Sequence, residues 1–101
     1  MKIVKEVIST FDFDKVHKVM TFLNWTWHFQ KVPDLHELKS KARQLLEDAC
    51  KKCLEHEKTS RDIPYIIMTG GFHIEAYPNK KKTKVKELRL EFVLTTSFDY
   101  R

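Results

Sequence analysis

Apolar positions recur at two different periods along this chain, and each change of period marks an element. Through residues 34–58 the period is that of a helix. Leu35, Leu38, Ala42, Leu45, Leu46, Ala49, Cys53 and Leu54 share one face, while Lys39, Lys41, Arg43, Glu47, Lys51 and Glu55 fall mainly elsewhere. Val32-Pro33-Asp34-Leu35-His36-Glu37 supplies the start. Proline holds Val32 extended, Asp34 can accept from the first free N–H groups, and Glu37 can reach back as in a capping box. Pro64 ends the run after Thr59-Ser60-Arg61-Asp62-Ile63. A second helix is expected after Phe11-Asp12-Phe13-Asp14, with Asp12 as N-cap and Phe11 and Val16 spaced as a hydrophobic staple. Val16, Val19, Met20 and Leu23 form its stripe and Asn24 its stop.

Elsewhere the period is two. Trp25-Thr26-Trp27-His28-Phe29-Gln30 alternates aromatic with polar, a short strand with Trp25, Trp27 and Phe29 on one face. Those rings serve either as core or as a platform on which bases stack, with Trp25 the best stacking candidate. Tyr65-Ile66-Ile67-Met68-Thr69 reads as a strand covered on both faces, and Gly70-Gly71 after it as a turn or bulge. Phe72 to Tyr77 and Lys84 to Thr95 alternate again around the turn Pro78-Asn79-Lys80-Lys81-Lys82-Thr83. They form an antiparallel hairpin with Phe72, Ile74, Ala76, Leu88, Leu90, Phe92 and Leu94 inward. Its outer face carries His73, Glu75, Arg89 and Glu91, a set suited to cross-strand pairs. Residues 1–10 fit either a helical face or an edge strand, and their β-branched content favours the strand. The expected fold is α+β: one domain over 1–101, a small antiparallel sheet of three to four strands, and two helices packed on one face. So small a sheet leaves surface uncovered, which predicts self-association through its open face or an edge.

With 101 residues and 42% hydrophobic content, the chain can bury one modest core. A formal charge of +5 favours anionic partners without choosing among nucleic acid, nucleotides or an acidic protein face. No run reaches the roughly 18 apolar residues of a membrane span and no signal-peptide core leads the chain, so a cytoplasmic location is expected. Cys50-Lys51-Lys52-Cys53 falls late in a helix, where the dipole disfavours a thiolate, and the histidines lack metal spacing. Core cysteines, no metal and no cofactor are expected. Asp12 and Asp14 read as cap and first-turn charge rather than as ligands. No hydrolase or metalloprotease motif is present, so an enzyme is the least favoured class. Lys80, Lys81, Lys82, Lys84 and Lys86, with Arg89 beyond them, make the hairpin either a solubilising turn or an electrostatic anion site.

The runs from Phe11-Asp12-Phe13-Asp14 to Met20, Leu23-Asn24-Trp25-Thr26-Trp27, Val32-Pro33-Asp34-Leu35, Ala42-Arg43-Gln44-Leu45-Leu46, Gly70-Gly71-Phe72 and Leu88-Arg89-Leu90-Glu91-Phe92-Val93 resemble a group of short proteins common in bacteriophage genomes. The likeness spans about 11–93, includes the glycine pair and Trp25 with Trp27, and leaves out the lysine-rich turn. It brings no catalytic residue set. Small phage proteins of this size are often counter-defence factors, which implies capture of a nucleotide immune signal in a basic pocket between protomers. The alternatives are coating nucleic acid with Lys80, Lys81, Lys82, Lys84 and Lys86, or docking on a host defence protein. For the first, Trp25 would stack a base, Gly70, Gly71, Lys84 and Lys86 would hold phosphate, and His28, His73 and Arg89 would complete the set.

Overall fold

The structure, a computed structural model, describes residues 2–24 and 31–93. Three helices, α1 (Lys2–Thr10), α2 (Phe13–Phe22) and α3 (Leu35–Glu55), precede three strands, β1 (Tyr65–Thr69), β2 (Phe72–Pro78) and β3 (Val85–Phe92). The strands form an antiparallel sheet in the order β1-β2-β3, with the helices packed against it. The architecture is the expected α+β, with one helix more than the apolar pattern assigned. The strand expected at 25–30, with Trp25, Trp27, His28 and Phe29, lies outside the described residues, as do Leu94 and Thr95.

Helix α3 is built as its sequence reads. The Asp34 carboxylate accepts from the Glu37 N–H at 2.8 Å, and the Glu37 carboxylate accepts from the Asp34 N–H at 3.1 Å. These reciprocal bonds satisfy two donors that a helix start leaves without partners. Its far end comes at Glu55, short of 58, because Thr59 folds back beneath it. The Thr59 hydroxyl lies 2.6 Å from the Cys53 carbonyl and 2.9 Å from that of His56. In α2, Asp12 caps through the Lys15 N–H at 3.1 Å, and Asn24 stops the helix at a φ of 51°. Phe11 stacks edge-on to Phe13 and Phe72 and joins the cluster that holds Val16.

Residues 2–10 are helical, which corrects the strand expectation. β-branched residues favour a strand only where a pleated, half-buried surface awaits them. Ile3, Val4, Val7 and Ile8 instead fall on one side of a helix, and that side is buried against α3 and β3, with Val4 fully enclosed. Two apolar clusters result. Val4, Leu46, Ala49, Cys50, Cys53, Ile74, Ala76 and Leu88 form one. Phe13, Val16, Met20, Leu38, Ala42 and Phe72 form the other.

The outer sheet face is open among the described residues, so β1 is covered on one side and not on both. Ile66 and Met68 are 49% and 66% exposed. Gly70 and Gly71 both take positive φ, 59° and 89°, as a two-residue type I′ turn requires, and Thr69 pairs directly with Phe72. In the hairpin of β2 and β3, Phe72, Ile74, Ala76, Leu88, Leu90 and Phe92 face inward as expected.

Leu46 is fully buried in the cluster shared by α1, α3, β2 and β3, and truncating it leaves a cavity there. Leu46→Ala is expected to lower unfolding free energy by roughly 2–5 kcal/mol, read from urea transitions with an unchanged m-value.

Candidate functional site

A concavity of about 680 Å³ opens where α1, the last turn of α3 and the β2–β3 connection meet. Ile3, Leu54 and Val85 give it an apolar floor. Lys2, Lys84 and Lys86 bring three ammonium groups to it, with Glu6, Asn79 and Thr83 as its other polar members. Its size falls within the roughly 300–1,000 Å³ range of small-molecule sites.

Asn79 organises the loop that presents Lys84. Its side-chain oxygen accepts from the Thr83 N–H at 2.8 Å and the Lys84 N–H at 3.4 Å, while its amide nitrogen donates to the Thr83 hydroxyl at 2.8 Å. Its backbone N–H donates to the Lys84 carbonyl at 2.9 Å. Lys82 sits at a φ of 56° and sends its ammonium to the His56 carbonyl at 2.6 Å. That bond places a cation at the negative end of the α3 dipole. Lys82 therefore holds the loop to α3, whereas Lys80 and Lys81 extend into solvent at the loop tip.

The expected ligand set does not assemble in one place. Lys84 and Lys86 line the groove at one end of the sheet. Gly70, Gly71 and His73 border a smaller hollow of about 220 Å³ at the other end, with Met68, Phe72 and Val93. The length of β2, roughly 20 Å at 3.3 Å per residue, separates them. Arg89 projects from the open face, and Trp25 and His28 lie outside the described residues. The strand expected over 1–10 does not single out Lys2, Ile3 and Glu6 as site residues. A helix there turns that face toward the lysine loop.

On the open face the polar side chains satisfy one another. His73 Nε2 lies 3.1 Å from a Glu75 oxygen, and the Tyr77 hydroxyl donates to the other Glu75 oxygen at 3.1 Å. Arg89 Nε donates to Glu87 at 2.6 Å, and the Arg89 guanidinium lies 5.7 Å from the centre of the Tyr77 ring. The ion pairs thus run along strands, and the cross-strand contact is cation over ring. The Tyr77 phenol is shifted upward, first because its hydrogen bond to Glu75 is lost on ionisation. The Glu87 partner likewise raises Arg89.

Cys50 and Cys53 are free and buried, as core residues. Cys53 Sγ lies 3.2 Å from the Ala76 carbonyl. Burial pushes the Cys50 thiol up to about 11 and raises Cys53 as well. Among the described residues no three of His, Cys, Asp and Glu gather as a metal site, and no described helix is long and apolar enough to cross a membrane. The chain matches no protein-family model, no curated protein and no solved structure.

The cysteine environment has a measurable pH consequence. The unfolded Cys50 thiol ionises near its ordinary value of 9.0, whereas the folded one keeps its proton to about 11. Its contribution to stability is therefore intact below pH 9 and declines as pH rises toward 11. Urea midpoints measured from pH 8 to 11 are expected to fall more steeply for the native sequence than for Cys50→Ala.

Proposed function

We propose that this chain is a non-enzymatic phage binding protein that acts in counter-defence in the host cytoplasm by sequestering an anionic ligand such as a nucleotide immune signal. The phage and counter-defence parts of the reading rest on the sequence resemblance. The ligand part rests on one observation: three lysines, Lys2, Lys84 and Lys86, ring an apolar floor in a groove of about 680 Å³.

That combination suits a ligand with an apolar ring at one end and phosphate at the other. Ile3, Leu54 and Val85 offer burial to the ring, and the ammonium groups offer charge-assisted hydrogen bonds to phosphate. The N-terminal end of α1 adds a partial positive charge beside Lys2. Lysine is a point charge rather than a planar fork, so affinity here depends more on charge than on phosphate geometry.

A second reading, a nucleic-acid-binding accessory protein, is favoured by the placement of Lys80 and Lys81. They stand in water beside the groove and lengthen its positive edge beyond what a mononucleotide spans. Such a protein neutralises successive phosphates and loses affinity steeply with salt.

Calorimetric titration against a panel of mono-, di- and cyclic nucleotides tests the first reading. Binding is expected for the native chain, with a loss of roughly tenfold or more for each of Lys84→Glu and Lys86→Glu, since a hydrogen bond to a charged group contributes about 1.5–3 kcal/mol. Flat titrations across the panel overturn it. The pair Lys80→Glu and Lys81→Glu separates the two readings. It leaves nucleotide affinity unchanged under the first, and weakens single-stranded DNA binding while flattening its salt dependence under the second.

A further inference from the structure

The two edges of the sheet are unlike. β3 carries Lys86, Glu87, Arg89 and Glu91, charges that guard an edge against unwanted pairing. β1 has the sequence Tyr-Ile-Ile-Met-Thr, without charge, proline or bulge. Among the described residues no further strand pairs with it.

The hydrogen-bond phase of β1 can be read from its neighbours. The Val93 N–H donates to the Gly71 carbonyl at 2.7 Å, which makes that pair hydrogen-bonded. Phe72 and Phe92, the next pair along, then form a non-bonded pair, so the Phe72 backbone turns toward β1. Thr69 opposite Phe72 is the closing pair of the type I′ turn, in agreement. Counting back along β1, Ile67 and Tyr65 direct their backbone groups into the sheet. Ile66 and Met68 direct theirs outward, and the side chains of those two are exposed on the open face.

We infer that β1 pairs antiparallel with β1 of a second copy about a two-fold axis at Ile67, joining two sheets into one of six strands. In this register Ile66 of each copy faces Met68 of the other as a hydrogen-bonded pair. All four outward-facing residues of the two edges are thereby used. Their side chains fall on the same face of the joined sheet and form one apolar patch across the axis. Because β1 is neutral, two chains of charge +5 meet there without opposing like charges at the seam. The second copy is favoured over a different extended peptide because the two outward residues are complementary to themselves under the two-fold operation. The inference is independent of the groove, which lies with α1 and β3 on the other side of the sheet and stays open in the pair.

Size-exclusion chromatography with light scattering, over a hundredfold range of concentration, tests the pairing on the full chain. A dimer is expected, shifted to monomer by Ile66→Lys combined with Met68→Lys, which brings four ammonium groups to the axis. Met68→Pro gives a sharper check. Its N–H faces the partner, so proline there is expected to abolish the dimer while retaining the far-ultraviolet circular dichroism of the native fold. A native chain that stays monomeric throughout overturns the inference. So does a dimer that persists both in the Ile66→Lys, Met68→Lys variant and in Met68→Pro. Amide exchange completes the set: protection of Ile66 and Met68 that is independent of concentration means that the edge is covered within one chain, and likewise overturns it.

Discussion

Between α3 and β2 lies the contact on which the other elements depend. Leu46, Ala49, Cys50 and Cys53 on the helix and Ile74 and Ala76 on the strand share one cluster, all without solvent exposure. Alanine and cysteine are small, so the helix can approach the sheet closely, and Cys53 Sγ comes within 3.2 Å of the Ala76 carbonyl. Close packing of this kind resists volume changes in either direction. α1 closes the cluster through Val4, and α2 extends the same helix face through Leu38 and Ala42 to Phe72. The sheet's flat side is thereby consumed, and its opposite side keeps a row of polar groups that bond one another.

How much of this was legible depends on whether the signal was local. The start of α3 was fully legible, since a capping box is written in four consecutive residues and needs no tertiary partner. The same holds for Asp12, Asn24 and the turn at Gly70-Gly71. Residues 2–10 were not legible, because Val4 and its neighbours are compatible with either period and their helical state is decided by burial against α3 and β3. β1 misled in the opposite direction. Five residues without charge read as buried on both faces, yet Ile66 and Met68 remain exposed. An unbroken apolar run reports that a face tolerates no charge, and a partner outside the chain imposes that condition as firmly as a core does.

The candidate site divides in the same way. Lysines clustered in sequence were visible, but sequence could not rank them. The fold does: Lys82 is committed to the end of α3, Lys84 and Lys86 line the groove, and Lys80 and Lys81 are exposed at the loop tip. Gly70 and Gly71 were grouped with the lysines on chemical grounds. The antiparallel order of the strands places the two turns at opposite ends of the sheet. Five similar ammonium groups thus acquire three different settings, and each setting follows from a backbone position rather than from the side chain itself.

The groove draws its lining from residues 2–6, Leu54 and residues 79–86, which are remote along the chain. Helices and hairpins form early because their partners are near neighbours, whereas bringing distant segments together costs loop entropy before any contact rewards it. The docking of α1 on β3 and α3 brings these segments together and so completes the hollow. A chain emerging from the ribosome acquires this surface only after β3 has been synthesised, since the groove takes residues from both ends of the described chain.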